Sequence, residues 1–295
     1  MKMNMYHPIQ ATIIVPCYNE ADRLDVNAFA AFANQNPMFR FMMVDDGSRD
    51  ATQRILSRLC ESNSEQFELL LMKENVGKAE AVRHGMLAAA QSSTDVFGFL
   101  DADLASPLEE LPRALDVLHR HPHIGVAIGI RRKLLGHQVL RSPLRCWLGA
   151  HFSRVASWVL RLPIQDTQCG LKLFRNTPRM AKLFAQPFQS RWIFDVEIFA
   201  RMMVAEGTEA VQQQIYEMPL ESWREVPGSK LKSGDFFKAL GELVAIHRSY
   251  KPAASGPATA PMPGAAIEHP VSVPMHPLTV LDESPAEDSP LKKAA

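Results

Sequence analysis

Two aspartates separated by one alanine, Asp101 and Asp103, directly follow the apolar run Val96 to Leu100. Both carboxylates can therefore reach one edge of a sheet as a strand ends. Hard oxygen ligands of this kind suit Mg²⁺ or Mn²⁺, whose other coordination positions water and diphosphate oxygens can fill. An isolated Asp-x-Asp is also a common solvated turn, so its meaning depends on what else shares the edge. Gly77 and Lys78 open a helix-like segment, where free backbone N–H groups and the helix dipole favour an anion and the lysine adds charge. Asp45 and Asp46, ahead of Gly47, can accept hydrogen bonds from a base or a ribose while the glycine lets the chain turn.

These residues share a position: each group ends, or closely follows, an apolar run. Ala11 to Cys17, Phe39 to Val44, Phe67 to Met72 and Val96 to Leu100 read as buried strands. Helical periodicity lies between them at Asp22 to Ala33, Ala51 to Cys60 and Ala79 to Ala90. The alternation predicts βαβ units and a parallel sheet, with ligands in the crevice beyond the carboxyl ends of the strands. Ser106 as N-cap, Pro107 and Glu109 predict a further helix over Leu108 to Leu118, followed by a strand over Val126 to Ile130. Amphipathic helices are expected at Pro143 to Leu160, Pro178 to Ala185, Asp195 to Ala205 and Asp235 to Ser249.

Composition narrows the function classes. Lys plus Arg and Asp plus Glu both total 32, so no bulk charge directs the chain to nucleic acid. The turn after the first strand reads Pro16 to Ala21 and lacks Gly-x-Gly-x-x-Gly, which argues against a dinucleotide-dependent oxidoreductase. Four scattered cysteines read as thiols of a reducing compartment. The start of the chain lacks a signal-peptide core, and no later stretch has the ~20 apolar residues that span a bilayer. The expected location is cytoplasmic. From 251 to 295 the chain is rich in Pro and Ala and is expected to be a disordered tail.

Val15 to Glu20, Val44 to Ser48, Asn75 to Ala79 and Asp101 to Asp103 resemble, in order and spacing, family 2 glycosyltransferases of the GT-A fold. Asp166 to Lys172, Phe194 to Glu197 and Trp223 to Lys230 extend the resemblance to dolichyl-phosphate β-glucosyltransferases and bacterial polyprenyl-phosphate glycosyltransferases. The resemblance implies a Rossmann-like, mostly parallel sheet flanked by helices over residues 1–250. Residues 9–130 would form the nucleotide-sugar half and 131–250 the acceptor half. It implies an inverting, metal-dependent hexosyltransferase that moves glucose from UDP-glucose to a polyprenyl phosphate.

On that resemblance Pro16, Tyr18, Glu20 and Asp46 frame the nucleoside, while Gly77, Lys78, Asp101, Asp103 and one Mg²⁺ or Mn²⁺ hold the diphosphate. Asp195 and Glu197 are candidates for a base or a positioning acid, completing the catalytic set with Asp103. Gln168, Arg131 and Lys230 are assigned to the acceptor, with Arg132 and Arg224 as further cations beside them. A hydroxyl acceptor needs a base, whereas a phosphate is already largely anionic at neutral pH because its second ionisation lies near pH 6.

Two alternatives stay open on the sequence alone: transfer to a soluble or polysaccharide hydroxyl, and a catalytically silent sugar-nucleotide binding module. The segment Pro143 to Leu160, with Trp147, Phe152 and Trp158 among Arg145 and Arg154, is expected to lie on the cytoplasmic face of a membrane as an interfacial helix. Core packing is the competing explanation of its apolar side.

Overall fold

A computed structural model of the chain describes residues 9–140, 143–226 and 235–250, with the backbone alone at 143–148, 150 and 235–237. Strands β1 (Ala11–Cys17), β2 (Phe39–Asp45), β3 (Phe67–Leu71) and β4 (Val96–Leu100) form where their apolar runs predict. Between them lie α1 (Val26–Gln35), α2 (Thr52–Ser62) and α3 (Lys78–Ala90). Then come α4 (Glu110–Arg120), β5 (Val126–Ile130), β6 (Gln138–Leu140) and α5 (Pro143–Leu160). The described chain continues through β7 (Leu171–Arg175), α6 (Pro178–Lys182), α7 (Phe194–Glu206), α8 (Thr208–Gln214), β8 (Ile215–Pro219), β9 (Ser222–Arg224) and α9 (Asp235–Ser249).

Seven strands make one sheet in the order β3-β2-β1-β4-β7-β5-β8, and β6 and β9 pair separately. β1 runs parallel to both β2 and β4, so the strand order reverses at β1 and opens a crevice beyond its carboxyl end. β7 is antiparallel to both its neighbours. Its loop of entry, residues 166–170, thus reaches the edge where β4 and β5 end. Strands on both sides of residue 130 build this one sheet. Ile14, Val44 and Phe97 pack on one face against Val82 of α3 and Phe199 of α7. Ile13, Val15 and Phe41 pack on the other against Phe29, Leu56 and Leu115. Alternation of successive side chains across a doubly covered sheet explains why these strands are almost wholly apolar, Arg40 of β2 being exposed.

The sequence reading did not include β6, β7, β8, β9 or α8, it carried α6 on to Ala185, and further details depart from it. α1 begins at Val26, capped by Asp25, whose carboxylate accepts from the Ala28 N–H at 3.0 Å. α4 begins at Glu110; residues 107–110 form a tight turn, and the Ser106 hydroxyl faces the Cys169 thiol at 3.7 Å instead of capping a helix. In α5, Phe152, Ala156 and Leu160 are buried in the core, while Trp158 is 76% exposed and Val155 39%. Phe152 therefore supports core packing, and only Trp158 and Val155 among the described apolar side chains of that helix face outward. The side chains of Arg145 and Trp147, Lys230 and the tail 251–295 lie outside the described residues. Among the described residues, no helix is long and apolar enough to cross a membrane, and Cys17, Cys60 and Cys169 form no disulfide.

Candidate functional site

The carboxyl ends of β1, β2 and β4 are tied into one rim. Asn19, at φ +50°, accepts from the Arg49 N–H through its side-chain oxygen at 2.8 Å, and its own N–H donates to the Ser48 hydroxyl at 3.0 Å. Gly47 turns at φ +66°, and a Cβ there would lie 2.6 Å from the Glu74 carbonyl carbon. Only glycine accommodates both demands. Asp46 then holds the next loop: its carboxylate accepts from the N–H groups of Val76 (2.8 Å) and Gly77 (2.9 Å) and from the Asn75 amide (3.0 Å). Burial raises the Asp46 pKa, although those amides and Arg191 pull it down. Asp46, expected at the nucleoside, fastens the loop that starts α3.

That loop aims Lys78 inward. Its ammonium lies 2.5 Å from Asp101 Oδ1, although the side chain remains 41% exposed. Burial disfavours the charge on Lys78, but Asp101, Asp195 and Asp103 outweigh it and raise the pKa. Asp101 Oδ1 is buried and accepts nothing except this lysine contact. The Asp101 carboxylate rests against Gly170, where any Cβ would collide with it. Asp103 accepts from the Ala105 N–H at 3.1 Å, and burial together with the like charge of Asp101 raises its pKa. A divalent cation would relieve the like charge that Asp101 places beside Asp103. Among the described residues, no cluster of three or more His, Cys, Asp or Glu could hold a metal. Asp101 and Asp103 supply two hard oxygen donors, a set that fits an ion whose shell is completed by water and phosphate oxygens, as Mg²⁺ and Mn²⁺ do.

Asp195 opens α7 at 6% exposure, with Lys172 Nζ 2.5 Å from its Oδ1. Lys172 is fully buried, donates to the Cys169 carbonyl at 2.7 Å and lies 5.2 Å over the Phe99 ring. Burial raises the Asp195 pKa despite the pull of Lys172 and Lys78, and Asp101 adds to the rise. Asp195, Lys78, Asp101 and Asp103 thus form one electrostatic group. Glu197, two residues on, is not brought into it. Its carboxylate accepts from the Gln189 and Ser190 N–H groups, the Arg201 guanidinium and the Tyr250 hydroxyl at 2.8–3.1 Å. Those four bonds make it an anchor of the 189–190 loop.

On the acceptor side, Arg131 forms a bidentate pair with Asp166, both bonds 2.7 Å, and stands 5.5 Å from the Trp223 ring centre. Burial opposes its charge, but Asp166 prevails and raises the Arg131 pKa. Gln168 lies in the same turn, its N–H donating to Asp166 Oδ1 at 3.2 Å. Its side-chain Nε2, like Thr167 Oγ1, is buried with no hydrogen-bond partner among the described residues. Pro16 and Tyr18 are half-buried on the β1 side. Glu20 is clasped by Arg23, with bonds of 2.8 and 2.7 Å.

Lys172, Gly170, Arg23 and Asp166 received no role from the sequence. A lysine inside the apolar run Leu171 to Phe174 was the available signal, because a charge in a buried strand needs a partner. Gly170 carried none, since nothing local distinguishes a close approach from a turn.

A sheet reversal at β1, a carboxylate pair beyond β4 and an anion-binding helix start define the GT-A class of nucleotide-sugar-dependent transferases. The chain belongs to glycosyl transferase family 2, which it matches over residues 12–177. It is 35% identical over 240 residues to the dolichyl-phosphate beta-glucosyltransferase of Drosophila melanogaster, covering 76% of this chain and 69% of that one. The dolichyl-phosphate beta-glucosyltransferase of Saccharomyces cerevisiae is 31% identical over 261 residues, 81% of this chain and 74% of the relative. Among solved structures, mannosyl-3-phosphoglycerate synthase from Rubrobacter xylanophilus superimposes with a TM-score of 0.59 at 13% identity, covering 85% of this chain and 79% of that one. Glucosyl-3-phosphoglycerate synthase from Mycobacterium tuberculosis, crystallised with Mn²⁺, UDP-glucose and phosphoglyceric acid, gives 0.58 at 14% identity, with 82% and 80% covered. These two share the fold.

Proposed function

We propose that this chain transfers glucose from UDP-glucose to a polyprenyl phosphate, with inversion at the anomeric carbon, while resting on the cytoplasmic face of a membrane. The observation that carries the reading is the Lys78, Asp101, Asp103 and Asp195 group at the strand-order reversal. The dolichyl-phosphate glucosyltransferase names of the curated relatives support the donor and acceptor classes. Residues 9–130 hold the donor and 131–250 the acceptor.

Asp101 and Asp103 hold the Mg²⁺ or Mn²⁺, and the Mn²⁺ and UDP-glucose bound to the M. tuberculosis neighbour support that class of ion. When bound, the ion supplies positive charge to the departing diphosphate. Lys78 adds a second cation, and the N–H groups at the start of α3 add fixed donors that need no reorganisation as charge develops. Pro16, Tyr18 and the loop fastened by Glu20 and Asp46 bound the nucleoside. A phosphate acceptor attacks as an anion, so no strong base is required. Asp195, held by Lys172, orients the acceptor. Arg131 presents the outer edge of a guanidinium that Asp166 keeps rigid, and Lys230 belongs with it as an acceptor cation. Gln168 Nε2 donates to a sugar or acceptor oxygen.

Purified protein incubated with labelled nucleotide sugars, Mn²⁺ or Mg²⁺ and polyprenyl phosphate is expected to move label from UDP-glucose into the organic phase. Label appearing only on water-soluble acceptors would overturn the assignment. Lys78→Ala is expected to weaken UDP-glucose binding about 10- to 100-fold by deleting one charge-assisted contact. Titration calorimetry checks it, and unchanged affinity would remove the lysine from the donor site. Gly170→Ala is expected to push the Asp101 carboxylate aside and lower turnover about 100-fold, the usual cost of misplacing a reacting group by an ångström. Wild-type rates in that variant would show that the packing of Asp101 on Gly170 is incidental.

A further inference from the structure

We propose that the loop between β5 and β6, residues 131–137, is a docking finger for an anionic bilayer surface, seating two leucines among the lipids and thereby bringing an embedded phosphate to Arg131. Leu135 is 102% exposed, Leu134 40%, and Leu140 just beyond the loop 64%. A fully exposed leucine is ordinary when solitary; here three lie within seven residues. They are held there by structure. The His137 N–H donates to the Leu134 carbonyl at 3.2 Å, closing a tight turn through Gly136 at φ +82°. No described residue lies within 4 Å of where a Gly136 Cβ would stand, so the turn projects away from them.

Both roots of the finger are fixed. Arg131 is clamped by Asp166, and the His137 ring bonds the Leu220 carbonyl at 2.7 Å. A segment pinned at each end and apolar at its tip suits insertion, because little ordering is left to be done on binding. The occupant follows from charge. Arg132 and Lys133 are exposed directly beside the two leucines. Cations next to exposed apolar groups match an anionic headgroup layer above hydrocarbon, the pattern of interfacial anchors. Arg132 also bonds Gln165 at 2.6 Å, and the Ser157 hydroxyl bonds the Ile164 carbonyl at 2.6 Å. Those bonds link the finger to the turn that carries Trp158. The inference rests on the polyprenyl-phosphate reading for what the docking achieves, but not for the docking itself.

The test uses the full chain and vesicles of neutral lipid with about 30% phosphatidylglycerol, a content at which each nearby cation contributes measurably. The wild type is expected to sediment with these vesicles, and less with neutral ones. Leu134→Ser/Leu135→Ser is expected to lower vesicle partitioning about 100-fold, from the apolar burial lost at two side chains. The same variant should turn over a short, water-soluble prenyl phosphate within about twofold of the wild type, yet lose about tenfold on a long-chain acceptor embedded in vesicles. Wild-type protein that stays in the supernatant, or a variant that sediments equally well, overturns the proposal and leaves the leucines to a protein contact. Loss of short-chain turnover overturns it too, by making the loop part of the reaction site. If no prenyl phosphate is turned over by the wild type, the acceptor reading fails, while the sedimentation result still decides the finger.

Discussion

Asp103→Ala is expected to lower glucosyl transfer about 1,000-fold, the scale of losing one principal group that stabilises charge on a leaving phosphate. The fold should survive. Asp103 is only half-buried, and its side chain makes one hydrogen bond, to the Ala105 N–H. Without metal the variant should melt at or slightly above the wild type. Burial and Asp101 raise the Asp103 pKa, so the folded chain binds that proton more tightly than the unfolded one, and an ionised Asp103 at neutral pH opposes folding. Removing it lifts that opposition, and the benefit disappears as pH falls through the raised pKa. Adding Mn²⁺ and UDP should stabilise the wild type against heat and leave the variant unmoved. A variant with wild-type turnover, or wild-type turnover in excess chelator, would sink the carboxylate pair as the metal site.

Lys172→Met is expected to remove most activity and to destabilise the fold by about 3 to 5 kcal/mol, because it strands the Asp195 carboxylate in a buried site without its cation. Methionine fills much of the space of the lysine stem, so lost packing is a minor part of the effect. The double variant Lys172→Met/Asp195→Asn removes the stranded charge and should recover much of the stability while staying inactive. Denaturant unfolding of both variants separates the two consequences. If the single variant keeps wild-type turnover, Asp195 does not need its partner, and its place in the acceptor site fails.

The pattern of success in reading the sequence follows from what local chemistry can express. β1, β4 and β5 were legible because doubly covered strands are apolar throughout, β2 and β3 because their runs are apolar but for Arg40 and Glu68, and the rim residues because they follow those strands. β7 was not, since Lys172 breaks its apolar run; its charge is tolerated only through Asp195 and the Cys169 carbonyl, both supplied by the fold. Asp195 and Glu197 look equivalent in sequence, two acids in one helical turn. They differ because Asp195 meets a single lysine beside Asp101, whereas Glu197 meets the Gln189 to Ser190 loop, Arg201 and Tyr250. Asp46 and Glu20 show the same limit: their polarity marked the rim, but Gly77 and Arg23 had already claimed their oxygens.

The reversed direction of β7 bears on how such a protein can change its substrate over evolution. After a parallel strand, the rim loop runs into a helix that packs on the sheet, so lengthening the loop risks shifting that helix. The 161–170 segment comes before its strand and follows the end of α5. Gly170 and Lys172 fix the strand against Asp101 and Asp195 whatever precedes them. Leu162 and Ile164 are buried in the core, so exchange without disturbing a sheet-covering helix is confined to the exposed Pro163 and Gln165. Grafts from relatives with different acceptors at these positions should alter acceptor choice while leaving donor affinity unchanged.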